Sequence, residues 1–417
     1  MRQFPRSAEL EHVLATDSID YDEFAELART IASFHESADV ASADSPYGTA
    51  AEVRRQCLDN FRTIGKGLPE PDLSAGLEEL SQWIGQELDR CEEKIGERHN
   101  SGRVRECHGD MHVTNMIRLN DRIQVFDCIE FNEEFRWIDV MSEIAFLLMD
   151  LDMRGHSDLG RVFLNAYLEA GGDYDGLSLL RLFRVYRSMV RAKIAYLRAD
   201  QDTDDDFVWR RFGNHIRLAH RYIESGSNAP GLVITRGFSG SGKTTITEKL
   251  IPVTGAVRIR SDIERKRLEG LSASERSHSG IGQGLYDPSH TEQTYERLAQ
   301  CAQSVVKAGL PVIVDATFLK ADQRLRFRNL AQSLHVPFTI LDCQTPEAVL
   351  RQRIGARQQE GHDASEADTT VLDRQLSSAD DLTESEQAFL VELDTEQPLD
   401  ARELANSLGL MPPDSAI

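Results

Sequence analysis

A chain of 417 residues is too long for one ordinary hydrophobic core, so two domains are expected. Its 47 basic and 69 acidic residues leave a formal charge of −22, a field that disfavours nucleic acid as a partner unless a local basic groove overrides it. No run of about 18 apolar residues exists to span a membrane; Met1–Pro5 opens no apolar signal core; and Cys57, Cys91, Cys107, Cys128, Cys301 and Cys343, with no C-x-x-C pair among them, suit reduced thiols in a cytoplasm.

Residues 1–107 read as helices joined by loops. Phe24, Leu27, Ala28, Ile31 and Phe34 recur at helical spacing over Tyr21–His35, and further helices are expected over 49–64 and 74–97. No alternating strand pattern precedes residue 103. The next stretch carries chemistry: His108-Gly-Asp110-Met-His-Val-Thr-Asn115. Met116–Leu119 and Ile123–Phe126 flank Asn120-Asp121 as a tight hairpin that returns Asp127 to the first loop. A phosphotransferase needs one Asp at the acceptor hydroxyl, and an Asn and a second Asp for the metal that bridges the phosphates. Asp110, Asn115 and Asp127 supply that order, although an acidic loop held only by hydrogen bonds would use the same residue types.

The segments HGDMHVTN, FDCIEF and Arg136-Trp-Ile-Asp139 resemble the aminoglycoside phosphotransferase-like branch of the protein-kinase-like fold, over roughly residues 1–225. The resemblance implies a catalytic Asp110, Asn115 and Asp127 as metal ligands, and structural roles for His108 and Asp139. It also implies an N-terminal β-rich lobe with a strand lysine. Upstream of His108 the only lysines are Lys66 and Lys94, neither on a strand-like run, so that lobe is expected to be missing. From 158 to 224 helices continue, and Arg187, Arg191 and Lys193 on the 179–197 stretch read as a solvated helix face. Ser225–Pro230 then breaks the pattern, giving a linker at 226–230 between domains at 1–225 and 231–417.

The second domain opens on Gly237-Phe238-Ser239-Gly240-Ser241-Gly242-Lys243-Thr244-Thr245, a full G-x-x-x-x-G-K-[ST] match. The apolar strand Leu232–Thr235 precedes it, and a helix from Lys243 to Ile251, ended by Pro252, follows. The glycines let the backbone N–H groups turn toward a phosphate, Lys243 supplies a charge to the β/γ-phosphates and Thr244 a hydroxyl for Mg²⁺. Ala256–Arg260 reads as the next strand, ending in Ser261-Asp262 as an N-cap pair. Ligands sit outside the carboxyl ends of strands in open α/β sheets, so Asp262 is a candidate base, with capping as its plainer role. Residues 270–290 read as a substrate loop. The strand Pro311–Thr317 carries Asp315 as a second Mg²⁺ group. Arg351, Arg353 and Arg357 on the helix over 346–359 either clamp the γ-phosphate, with the polar loop 361–368 as a lid, or pair with surface acids.

GFSGSGKTT, RSDIERK, VIVDATFLKADQR and the arginine helix followed by DASEAD look like the P-loop kinases of small molecules and polynucleotide 5′-ends. The whole chain resembles a bacterial family of fused kinases, its second half of the AAA-family ATPase type. The expectation is therefore an α/β protein. A mostly helical kinase-like lobe precedes a P-loop domain with a parallel sheet, and the chain moves phosphate from ATP, with Mg²⁺, to a small-molecule hydroxyl. A polynucleotide 5′-end kinase and a non-enzymatic nucleotide switch are the alternatives.

Overall fold

The computed structural model describes residues 4–16, 19–64, 68, 71–199, 206–224, 230–271, 288–360 and 368–411. The linker residues 225–229, most of the proposed substrate loop (272–287) and the loop residues 361–367 lie outside the described residues. The chain forms two compact units. Met1–Tyr167 and Gly176–Ser227 make the first; Leu168–Asp175 and Asn228–Ala416 make the second.

The first unit is largely helical. It contains α1 (Leu10–Thr16), α2 (Tyr21–Ser37), α3 (Ala50–Thr63), α4 (Pro71–Asn100), β1 (Val104–Glu106), β2 (Met116–Leu119), β3 (Arg122–Val125), β4 (Trp137–Asp139), α5 (Val140–Met153), α6 (Ser157–Gly171) as far as Tyr167, α7 (Leu177–Ala199) and α8 (Asp206–Glu224). β1 pairs with β4, and β2 with β3, both antiparallel. Asn120 and Asp121 both take positive φ (53° and 57°), as a two-residue turn of this hand requires. Helix α5 is buried on every side, from Val140 through Leu151, so it forms the centre of the unit. Asp139 caps it, accepting from the Met141 N–H at 2.8 Å, while Arg98 of α4 grips both carboxylate oxygens at 2.7 and 2.8 Å. Arg98 and Asp139 are both buried, so their pairing offsets the desolvation of each.

The second unit contains β5 (Leu232–Arg236), α9 (Lys243–Thr254), β6 (Val257–Arg260), α10 (Ser261–Leu268), α11 (Pro288–Lys307), β7 (Val312–Asp315), α12 (Ala321–Ser333), β8 (Phe338–Gln344), α13 (Glu347–Glu360), α14 (Thr369–Ser378), β9 (Leu390–Asp394) and α15 (Ala401–Ser407). The five strands run parallel in the order β6-β7-β5-β8-β9. Val233, Ile313 and Leu341 of the sheet pack with Ile246 and Leu250 of α9 and with Leu404, Ala405 and Leu408 of α15. Since β7 lies between β5 and β6, the ends of three strands, at Arg236, Arg260 and Asp315, share one edge.

Three expectations are corrected here. Pro252 does not end α9 but lies inside it; Gly255, in the left-handed region at φ 69°, ends the helix. Ser261 and Asp262 are not caps: Arg260 holds the N-cap position, and both lie inside α10. Arg187 is not on a solvated face. It is 5% exposed, stacks over the Phe146 ring at 4.7 Å and donates to the Ser142 carbonyl at 3.2 Å.

The Arg98–Asp139 pair yields a stability prediction. Asp139→Ala removes a cap and takes from a buried guanidinium the carboxylate that grips it at two points, which should cost about 3–5 kcal/mol. Urea unfolding of the full chain, followed through the first unit's transition, checks this; a loss under about 1 kcal/mol, the range of an exposed pair, would contradict it.

Candidate functional site

The phosphate loop leaves the end of the central strand β5 and enters α9. A side chain at Gly237 (φ 150°) would meet the Ser241 Oγ at 2.6 Å and the Cys343 carbonyl at 2.9 Å, so the curl tolerates only glycine there. Lys243 Nζ donates to the carbonyls of Gly237 (3.0 Å) and Phe238 (2.8 Å), which fixes the ammonium at the loop. Thr244 Oγ1 donates to Asp315 Oδ2 at 2.9 Å, joining the first turn of α9 to the end of β7. This hydroxyl and carboxylate form a hard-oxygen pair of the kind Mg²⁺ takes.

A cavity of about 560 Å³ opens over the loop. Gly240, Gly242, Lys243, Thr244, Thr245 and Asp315 line it on one side and Arg260, Asp262, Arg265 and Tyr295 on another. Asp262 Oδ1 accepts from Arg265 Nη1 at 3.3 Å, and its carboxylate is partly exposed. Of the proposed arginines, Arg353 lines the cavity and donates toward the Gly240 carbonyl at 3.5 Å. Arg351 does not serve there: it is an exposed side chain paired with Glu347 and Asp373. The side chain of Arg357 lies outside the described residues. Phe238 packs on Leu350, Ile354 and Leu372, which anchors the loop to α13 and α14.

In the first unit, the loop at Asp110 is built on buried polar contacts. Glu143 of α5 accepts from the N–H groups of His108 (2.8 Å) and Gly109 (3.0 Å); its burial pushes its own carboxyl above the ordinary value. Arg187 donates to the Gly109 carbonyl at 3.4 Å. Asn115 Nδ2 donates to Asp110 Oδ2 at 3.0 Å, and His112 Nε2 lies 3.3 Å from Asp110 Oδ1 and 3.3 Å from Arg191 Nη1. Burial works to raise the Asp110 carboxyl, but the His112 and Asn115 contacts and the Arg191 charge outweigh it, and the carboxyl stands below its usual value. The Phe126 N–H donates to the Asn115 carbonyl (3.0 Å), its own carbonyl meets His108 Nε2 (2.8 Å), and the Ile129 N–H reaches the His108 carbonyl (3.0 Å). Asp127, at φ 62°, is thus fastened beside the loop with its side chain exposed.

Residues 8–180 match the model of the Phosphotransferase enzyme family, and residues 232–382 match that of the AAA domain. The chain joins a phosphotransferase-family domain to an AAA-type P-loop domain. An uncharacterized protein of Mycobacterium tuberculosis (strain H37Rv) is 25% identical over 342 residues, which are 81% of this chain and 67% of the relative; a Mycobacterium bovis protein gives the same figures. Among solved structures, a sugar kinase from Janibacter sp. HTCC2649 is 23% identical, with a TM-score of 0.33, and covers 44% of this chain and 97% of its own. An ethanolamine kinase of Plasmodium vivax is 12% identical, with a TM-score of 0.35, and covers 53% and 63%. Global similarity at that level establishes no shared function. The two family matches support a phosphotransferase and leave its acceptor open.

Two groups of residues escaped the sequence reading. In the AAA-type domain, Val371, Arg374, Gln375 and Ser378 of α14 all line the cavity; their i, i+3, i+4, i+7 spacing is a signal that was present. In the phosphotransferase-family domain, the His112–Arg191 contact joins positions 79 apart, and no local pattern reports it.

The Asp110 network makes a titration prediction. A lowered carboxyl pKa means the fold favours the ionised form, so this contribution to stability is present above the unfolded pKa and is lost as pH falls through the folded one. In His112→Ala the burial remains while its main counterweight is gone, so the Asp110 midpoint should rise. Carbon-detected NMR of the labelled aspartate carboxyls measures it; an unmoved midpoint would refute the assignment.

Proposed function

We propose that the chain is an ATP-dependent phosphotransferase acting on a small-molecule hydroxyl, with the chemistry in the AAA-type domain. The observation that carries this reading is that Lys243, Thr244, Asp315 and Asp262 all open into one cavity at the carboxyl edge of the sheet. Loop N–H groups and Lys243 hold the β- and γ-phosphates. Thr244 and Asp315 are the residues that would hold Mg²⁺, which when bound neutralises phosphate charge. Asp262 accepts the proton of the acceptor hydroxyl as its oxygen bonds to the γ-phosphorus and ADP leaves. Arg353 and Arg374 offset charge at the transferring group, and Arg265 keeps the Asp262 carboxylate oriented.

Asp110, with Asn115 and Asp127 as metal ligands, forms a second acidic loop of phosphotransferase type. Turnover is assigned to the Lys243 site because, among the described residues, no strand of the first unit carries a lysine, and Lys94 sits on α4 paired with Glu97 at 2.9 Å. Positioning supplies most of the catalysis in phosphoryl transfer, and only the Lys243 loop has its frame. A cytoplasmic setting fits six cysteines that are all unbridged.

The test is an acceptor screen with γ-labelled ATP, metabolite pools and 5′-hydroxyl oligonucleotides. Label on a small molecule supports the reading, and label on oligonucleotide ends would make it an end kinase. Slow hydrolysis indifferent to every acceptor would mark a nucleotide switch. Asp262→Asn should lower transfer by about 10²–10⁴-fold with nucleotide affinity nearly intact, the scale of a lost general base. Steady-state ATPase should vanish in Lys243→Ala and change less than about twofold in Asp110→Ala, on the positioning argument; the reverse pattern would move the chemistry to the first unit.

A further inference from the structure

Helix α14 meets the phosphate loop through two adjoining contacts. The apolar one is the cluster of Leu350, Ile354 and Leu372, against which Phe238 of the loop and Leu376 of α14 both pack. The polar one is a two-point bond: Gln375 Oε1 accepts from the Ser239 N–H at 2.9 Å, and Gln375 Nε2 donates to Ser239 Oγ at 3.0 Å. A planar carboxamide presenting an acceptor and a donor to the N–H and hydroxyl of one residue fixes direction as well as distance. Ser239 is 9% exposed, so this N–H has little access to water and is satisfied by α14. It is therefore committed to the helix and set apart from the N–H groups assigned to phosphate.

The residue next to Gln375 is Arg374. It lines the cavity and makes no ion pair among the described residues, unlike Arg351, which is held by Glu347 and Asp373. A long cation with no carboxylate partner has many rotamers to choose from, and the orientation of its helix decides where its charge falls. We propose that Gln375 is a positioning residue: by fastening α14 to Ser239 it holds Arg374 toward the γ-phosphate of a bound nucleoside triphosphate. The proposal rests on the ATP-binding reading above. It assigns Ser239 and Gln375 to discrimination between triphosphate and diphosphate, and leaves diphosphate binding to the rest of the loop.

Calorimetric titration of the full chain with Mg·ADP and with the non-hydrolysable triphosphate Mg·AMPPNP tests it. The unchanged protein should bind the triphosphate more tightly. Gln375→Ala should weaken AMPPNP roughly tenfold, the scale of one charge-assisted hydrogen bond, and shift ADP by less than about twofold. Gln375→Asn, which keeps the amide but falls a methylene short, should behave the same way. Arg374→Ala should reproduce the selective loss, and the double variant should be no worse than either single one, since one acts through the other. An unchanged ratio, an equal loss for both nucleotides, or tighter binding would overturn the proposal. If the unchanged protein bound neither nucleotide, the ATP-binding reading itself would fall, and this one with it.

Discussion

The hydrogen bond between Thr244 and Asp315 is the constraint around which the second unit is arranged. It joins the first turn of α9 to the last residue of β7, two elements separated by 71 positions in the chain. That junction is available only because β7 pairs directly with β5, which places its carboxyl end beside the start of the phosphate loop. The glycine curl presents N–H groups at the same edge, and β6 delivers Asp262 one strand further out. A shift of the strand order would leave each of these residues intact and separate the chemistry.

Charge in the cavity departs from that of the whole chain. The formal charge of the protein is −22, yet the cavity lining holds Lys243, Arg260, Arg265, Lys320, Arg353 and Arg374 against Asp262, Glu292, Asp315 and Asp322. A cationic excess in a concave, partly desolvated site focuses potential and favours polyanionic ligands there, whatever the surrounding field.

In the first unit, the acidic loop depends on groups that never reach solvent. Glu143 is wholly buried and holds two loop N–H groups, and Arg187 beneath it grips the Gly109 carbonyl. Gly109 itself, at φ 86°, leaves no space for a side chain: a Cβ would stand 2.5 Å from the Phe135 carbonyl. The loop is therefore fixed by α5 and α7, with Asp127 exposed and Asp110 half-buried against His112 and Asn115. Preorganisation of this kind is what a metal- or phosphate-binding loop requires, because buried polar partners cannot reorganise cheaply.

The sequence by itself determined whatever rests on short-range stereochemistry. The phosphate loop is legible because its glycines must take positive φ, the hairpin because Asn120-Asp121 tolerates the left-handed region, and the strand-end carboxylate Asp315 because an apolar run stops at it. Tertiary packing alone decided which of several similar side chains faces the site. On α13, burial of Leu350 and Ile354 sets the rotation of the helix, which turns Arg351 to solvent and Arg353 to the cavity. The same holds for Gln375 against Ser239 and Arg191 against His112, pairs 136 and 79 positions apart. Local pattern encodes backbone conformation; the partner of a long polar side chain is chosen only when distant elements dock, since that contact carries no periodic signature along the chain.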